Sequence, residues 1–315
     1  MSGQTYHMVT GESRLADLKD GGSVAMGIGN VYRVIKTTEA YYAQFIADYQ
    51  GTYSDGSAIV HTTIQSALDA TVECRNDYVI VQPSDSDYDI TAALTMSKKS
   101  VHLICPAGLG NDVGATNAAR IHQNTTSLAC IAVSDSSIEI AGLYLKNYQN
   151  YSHITLAASS YAPNIHNNTL VMSCTSTTAA PAIVGTGDAG AWGSIERNWI
   201  VSQAGDDYTI AAIISIDQTA AAARVCFNEI TIGDGATATV GIYNGASKGM
   251  VRGNVFGQAG ADSTWTHCIA IGSNGNAIGN RGVVADSILV TGGTSDKSFS
   301  DNMNGVNGGA VDDAT

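Results

Sequence analysis

The sequence predicts an all-β chain wound as a right-handed parallel β-helix, on three observations. Six short segments share the pattern apolar-x-x-Asn, they recur every 22 to 30 residues, and a second apolar series keeps a similar period between them. The first series is Ile165-His166-Asn167-Asn168, Ile195-Glu196-Arg197-Asn198, Val225-Cys226-Phe227-Asn228, Val251-Arg252-Gly253-Asn254, Ala277-Ile278-Gly279-Asn280 and Phe299-Ser300-Asp301-Asn302. Ile140-Ala141-Gly142-Leu143 is an earlier relative with Leu143 in the Asn position. The second series ends at Leu156, Val184, Ile216, Ile242 and Ile271. A period of this length in short β-rich segments fits coils of three strands stacked at about 4.8 Å. Leucine-rich repeats would need a regular Leu-x-x-Leu-x-Leu, and propeller blades have longer periods.

Composition agrees. With 34 glycines against four prolines, 44% hydrophobic and 14% charged residues, the chain suits many short strands and tight turns around a large core. The elements then follow in order. Residues 1–29 read as an N-terminal arm, and 30–77 as a strand and capping helices leading into the coils. NVYRVIK is the strand; residues 37–50 are the first helix, with Thr37 or Thr38 as its cap. The second helix starts after His61, where Thr62-x-x-Gln65 has capping-box spacing, and Ile64, Ala67, Leu68, Thr71 and Val72 form its apolar stripe. YVIVQP at 78–83 begins the parallel β-helix of residues 78–310, SVHLICPAG continues it, and 311–315 are a C-terminal tail.

The recurring asparagines acquire a physical role in such a coil. A sharp corner between strands needs a left-handed backbone residue, which Asn tolerates better than any residue but Gly. Stacked coils would bring Asn168, Asn198, Asn228, Asn254, Asn280 and Asn302 into register, so that their amides bond along the axis as a ladder.

Taken together, the TIQSALDA helix, the SVHLICPAG strand and the six Asn rungs resemble the pectate-lyase-like β-helix superfamily over roughly residues 56–310. The lead-in GNVYRVIKTTEAYYAQFIADYQGTYSDGSAIVHTTIQSAL is similar to the N-terminal part of β-helix proteins of tailed bacteriophages. That resemblance implies a structural virion protein, such as a capsid decoration, head fibre or spike, non-enzymatic and homotrimeric, attached to capsid or tail proteins through its N-terminal region. The alternative it leaves open is a carbohydrate-active β-helix, either a tailspike depolymerase or a polysaccharide lyase or hydrolase, or an adhesin that only binds a host-surface glycan.

The residues give little to an enzyme. Hydrolases of this superfamily use clustered aspartates with a Gly-His-Gly and an Arg-x-Lys; here Asp206-Asp207 stands without either and reads as a polar turn. Lyases need a carboxylate-held Ca²⁺, for which Asp85, Asp87 and Asp89 have alternating spacing, although a solvated loop is the stronger reading. The seven histidines are dispersed, the six cysteines have no metal-ligand spacing and read as buried thiols, and no catalytic, cofactor-binding or metal residue is assigned. Trp192, Trp199 and Trp265 read as packing between coils or copies. The net charge of −13 argues against nucleic acid. No apolar run is long enough for a membrane span, and the N-terminus has no Sec-signal pattern, so a virion protein made in the host cytoplasm is expected.

Overall fold

The computed structural model describes residues 29–109, 118–125, 128–147, 151–173, 178–202, 208–216, 222–246, 248–259, 262–272, 275–282, 288–292, 298–300 and 302–304. Most of the N-terminal arm, the C-terminal tail, Asp206-Asp207 and Cys174 lie outside these. The described strands form three parallel sheets of eleven, nine and nine strands, and from residue 77 onward the chain visits them in turn, once per coil. The molecule is a parallel β-helix.

Each sheet points one row of aliphatic side chains into a common core. In the first sheet, Ile140, Ile165, Ile195, Val225, Val251 and Ala277 stand in one register, so the sequence period and the coil coincide there. The second sheet aligns Ile121, Leu145, Leu170, Ile200, Ile230 and Phe256; the third aligns Ile131, Ile154, Ile183, Ile214, Ile242 and Ile269. All these residues are buried in a single cluster. Where the larger Phe256 enters, Gly241 makes the space, because a Cβ there would lie 2.7 Å from the ring.

The third-sheet series corrects the sequence reading. Leu156, Ile216 and Ile271 do share a row, but the partners between them are Gly185 and Asn244, while Val184 faces outward and Ile242 belongs two residues earlier. A slip of one residue turns a side chain to the other face, and loops of unequal length before this sheet hide the slip from a simple count.

Each coil turns at three corners, and one of them is marked by a continuous column of left-handed residues. Between the first and second sheets the column is Gly142, Asn167, Arg197, Phe227, Gly253 and Gly279, with φ from 53° to 69°. Each of the first five donates its N–H to the carbonyl just before the next member, as from Arg197 to Cys226 (3.1 Å) and from Phe227 to Arg252 (2.8 Å). The left-handed residue is therefore the one before each ladder Asn, not the Asn itself. With its own backbone outside that region, the Asn can turn its amide along the axis.

Gly253 and Gly279 separate two costs. A Cβ on Gly279 would meet nothing within 4 Å, whereas one on Gly253 would lie 2.6 Å from the Phe227 ring. Gly279→Ala is expected to cost about 1 kcal/mol of backbone strain, and Gly253→Ala roughly 1 kcal/mol more for the crowded ring. Equal urea midpoints for the two variants would remove the ring from the argument.

The N-terminal region holds two helices. Residues 37–41 form turns, with Glu39 N bonding Lys36 O and Tyr42 N bonding Glu39 O, so helix α1 runs only over Tyr42–Tyr49 and has no side-chain cap from Thr37 or Thr38. Helix α2, Ile64–Ala70, is capped by Thr63, which accepts from Ser66 N; the capping box predicted at Thr62 and Gln65 is displaced by one residue. Ile64, Ala67 and Leu68 enter the common core, while Val72 lies beyond the helix and is exposed. Lys98 donates to the carbonyls of Asp69 and Thr71 at 2.6 Å, closing the C-terminal end of α2.

Candidate functional site

Charged groups collect on the outward faces of the first two sheets. On the first, strand register places Tyr78, His102 and Glu139 side by side, with His166 one coil further on. Glu139 bridges two imidazoles: its Oε2 lies 2.6 Å from His102 Nδ1 and its Oε1 lies 2.8 Å from His166 Nε2. Both rings are held from the other side, His102 by Asn76 Oδ1 at 2.7 Å and His166 by Asn167 Oδ1 at 2.9 Å. Tyr78 stacks on His102 with 4.2 Å between ring centroids.

Burial pushes the Glu139 carboxyl up, but the hydrogen bonds and charge of the two histidines outweigh it and hold the group at about 2. The Glu139 bond raises His166 above the ordinary imidazole value, against a smaller effect of burial. Glu139 is thus held ionised. That is the reverse of what a general acid for glycoside cleavage requires, since such a carboxyl keeps its proton near neutrality.

On the second sheet, the Asp85, Asp87, Asp89 segment engages bases rather than converging on a point. Asp87 Oδ1 lies 3.0 Å from Arg120 Nε. Asp89 Oδ1 accepts from Asn124 Nδ2 at 2.9 Å and lies 3.1 Å from His122 Nδ1. Asp85 offers its backbone carbonyl to Arg120 at 2.6 Å. Among the described residues no group of three or more His, Cys, Asp or Glu is arranged to hold a metal ion. Beside this cluster lies a recess of about 130 Å³ lined by Lys36, Thr62, Thr63, Ile64, Tyr88 and Asp89, where Lys36 Nζ donates to Ser86 Oγ and Asp87 O.

The six predicted ladder asparagines form a continuous hydrogen-bonded column. Asn228 Oδ1 accepts from both N and Nδ2 of Asn198 at 3.0 Å, and Asn228 Nδ2 donates to Ile195 O and to Asn254 Oδ1. The same bonds repeat from Asn168 to Asn302. The column begins where Leu143 N donates to Asn168 Oδ1.

Sequence reasoning missed Asp77. Its fully buried carboxylate accepts from Asn30 N, Val72 N and Arg75 Nε, each at 2.7 Å, and Arg75 continues to Asp55 and Tyr32. This ties the first strand to the loop after α2. Of its three donors Asn30 lies 47 residues away, and Val72 and Arg75, five and two residues before it, form no motif that marks a buried carboxylate. The tryptophans divide: Trp265 packs inside, edge-on to Phe256, whereas Trp192 and Trp199 are exposed. Cys105, Cys130, Cys226 and Cys268 are buried free thiols, and Cys74 is exposed.

No family model and no curated protein sequence matches the chain. Among solved structures, the chain is similar to a protein of Geobacillus virus E2, ORF18, with 11% identity and a TM-score of 0.36. The match covers 92% of this chain and 63% of that one, so the chain spans less than two thirds of that protein's length. Likeness at that level carries no argument about role.

Proposed function

We propose that the protein is a structural component of a tailed-phage virion, a stiff β-helical projection that assembles as a homotrimer and performs no catalysis. The observation that carries this reading is the amide column from Asn168 to Asn302, bonded coil to coil at 2.9–3.0 Å along the axis. A rod whose coils are cross-braced at one edge resists bending and local opening, which suits a projection more than a site that must move. The lead-in from Gly29 to Leu68, with its resemblance to phage β-helix proteins, supports the same reading. So do the carboxylates of Asp87, Asp89 and Glu139, which are committed to Arg and His partners.

Light scattering of the purified chain should give a mass of about three times 32.5 kDa, with short rods in negative-stain micrographs. The same preparation, incubated with acidic polysaccharides, should release neither reducing ends nor unsaturated uronates. Release of either would replace the structural reading with a depolymerase.

A further inference from the structure

The outward face of the second sheet gathers apolar side chains that the other two faces do not. One outward row runs Trp199, Glu229, Val255 and Arg281, and the row beside it runs Val201, Thr231 and Gly257. Phe227 stands at the rim toward the first sheet; it and Trp199 are 47% and 41% exposed. At the rim toward the third sheet, on earlier coils, lie the exposed Leu128 and Tyr151, whose carbonyls both accept from Asn147 Nδ2 at 3.2 Å. The long strands of the third sheet instead present Thr209, Thr237, Thr239, Thr264 and Thr266.

The two rims of this face differ in charge. On and beside the first stand Arg197, Arg224, Arg252 and Arg281, against Glu196 and Glu229, on a protein whose net charge is −13. All four arginines are exposed, and among the described residues the one carboxylate within 4.0 Å of any of them is Glu196, at 3.9 Å from Arg197. The guanidiniums of Arg197 and Arg252 each lie 5.9 Å from the centre of the Phe227 ring. The other rim carries the exposed Asp234 and Asp262 on neighbouring coils, with Asp262 N donating to Asp234 Oδ1 at 3.4 Å. Asp234 ends the second-sheet pass of the coil that holds Arg224 and Phe227, and Asp262 ends that of the coil that holds Arg252. Each acid therefore lies at the height of a base on the opposite rim.

We propose that the second-sheet face is the contact between copies of this chain, turned toward the axis of a side-by-side trimer, with the basic rim of each copy against the acidic rim of the next. The inference rests on the homotrimeric reading above and assigns the face that makes it. Rotation about an axis parallel to the rods moves no coil up or down, so the contacts join coils of equal height. Arg252 then stands level with Asp262 of the partner subunit, and Arg224 with Asp234 of the partner subunit. Trp199, Phe227 and Val255 leave water at the same contact, as aromatic and aliphatic anchors do. The seven second-sheet strands from Ala119 to Gly282 stack to about 30 Å, and a strip of that height needs a width of only about 25 Å to bury the roughly 800 Å² per partner of a stable interface. The backbone marks the same rim: Arg197 and Phe227 hold φ of 53° and 58° where the next coils use Gly253 and Gly279, and such strain collects where a side chain is needed for function.

Sedimentation of the full chain tests this. The parent should have about three times the 32.5 kDa of one copy. Val255→Arg, at an exposed strand position, should sediment as a single copy with the parent's far-ultraviolet spectrum, whereas Thr239→Arg, exposed on the third sheet, should remain a trimer. Arg252→Asp should raise the concentration of half-dissociation tenfold or more, and adding Asp262→Arg should restore it, because the two positions lie on opposite rims and meet only across copies. The charge pair thus tests the face with exposed side chains alone. A trimeric Val255→Arg, dissociation by Thr239→Arg, or a double charge variant no tighter than Arg252→Asp would each overturn the assigned face and leave the trimer standing. A parent that sediments as one copy or two would overturn both.

Discussion

Asn228→Ala, in the middle of the amide column, is expected to destabilise the protein by roughly 3–6 kcal/mol. Asn228 uses its whole hydrogen-bonding capacity: two bonds accepted at Oδ1 and two donated from Nδ2. Alanine removes all four. Asn198 N and Ile195 O are then left without their side-chain partner, in a place where Asn228 itself is fully buried. Each stranded group costs about 1–3 kcal/mol, and lost contacts around the missing amide add to it. Asn228→Asp separates the two contributions, because it nearly preserves shape and the two accepted bonds but cannot donate to Ile195 O or Asn254 Oδ1. It should also be strongly destabilised. Asn302→Ala removes equivalent bonds at the last described member of the column and should cost less, because coils near an end open more readily. Urea midpoints rank the three variants; a cost below about 1 kcal/mol for Asn228→Ala would mean that the column decorates the coils without holding them.

What was legible in the sequence follows from where the geometry is uniform. The Ile-to-Phe rung and its Asn column could be read directly, because the first-sheet strand, the corner and the Asn keep one spacing in every coil. The third sheet could not, since its strands grow from three residues at Ile154–Leu156 to eight at Thr209–Ile216 and the loops before them vary. The left-handed column was hidden for a chemical reason: Arg197 and Phe227 have no property that predicts positive φ, and only Gly142, Asn167, Gly253 and Gly279 in the same column are residue types that favour it. The bridge at Glu139 depends on partners 37 residues before it and 27 after, so it becomes visible only when the register of the strands is known.

Acidification from pH 6.5 to 4 is expected to remove roughly 3 kcal/mol of stability through one histidine. His153 is buried in the core, with Nε2 donating to Val171 O at 2.8 Å and Nδ1 facing no partner among the described residues. Burial lowers its pKa from 6.5 to about 4, against a smaller opposing effect of the Val171 bond. Between those values the unfolded chain binds the proton and the folded one does not, so stability is complete above pH 6.5 and falls as pH drops to 4. His166 has the opposite sign: its raised pKa gives stability that is full below pH 6.5 and is lost as pH rises through the folded value. Glu139, held at about 2, contributes above pH 4.5 and loses that contribution as pH falls to about 2. The bridge is therefore complete between pH 4.5 and 6.5, the interval in which His153 is giving way. His153→Gln keeps a donor for Val171 O and cannot titrate there, so its stability should vary much less across this interval and leave the shallow maximum of the Glu139 bridge exposed. Adding Glu139→Gln should erase that maximum. If the parent and His153→Gln lose stability in parallel from pH 6.5 to 4, a group other than this buried imidazole controls the acid response.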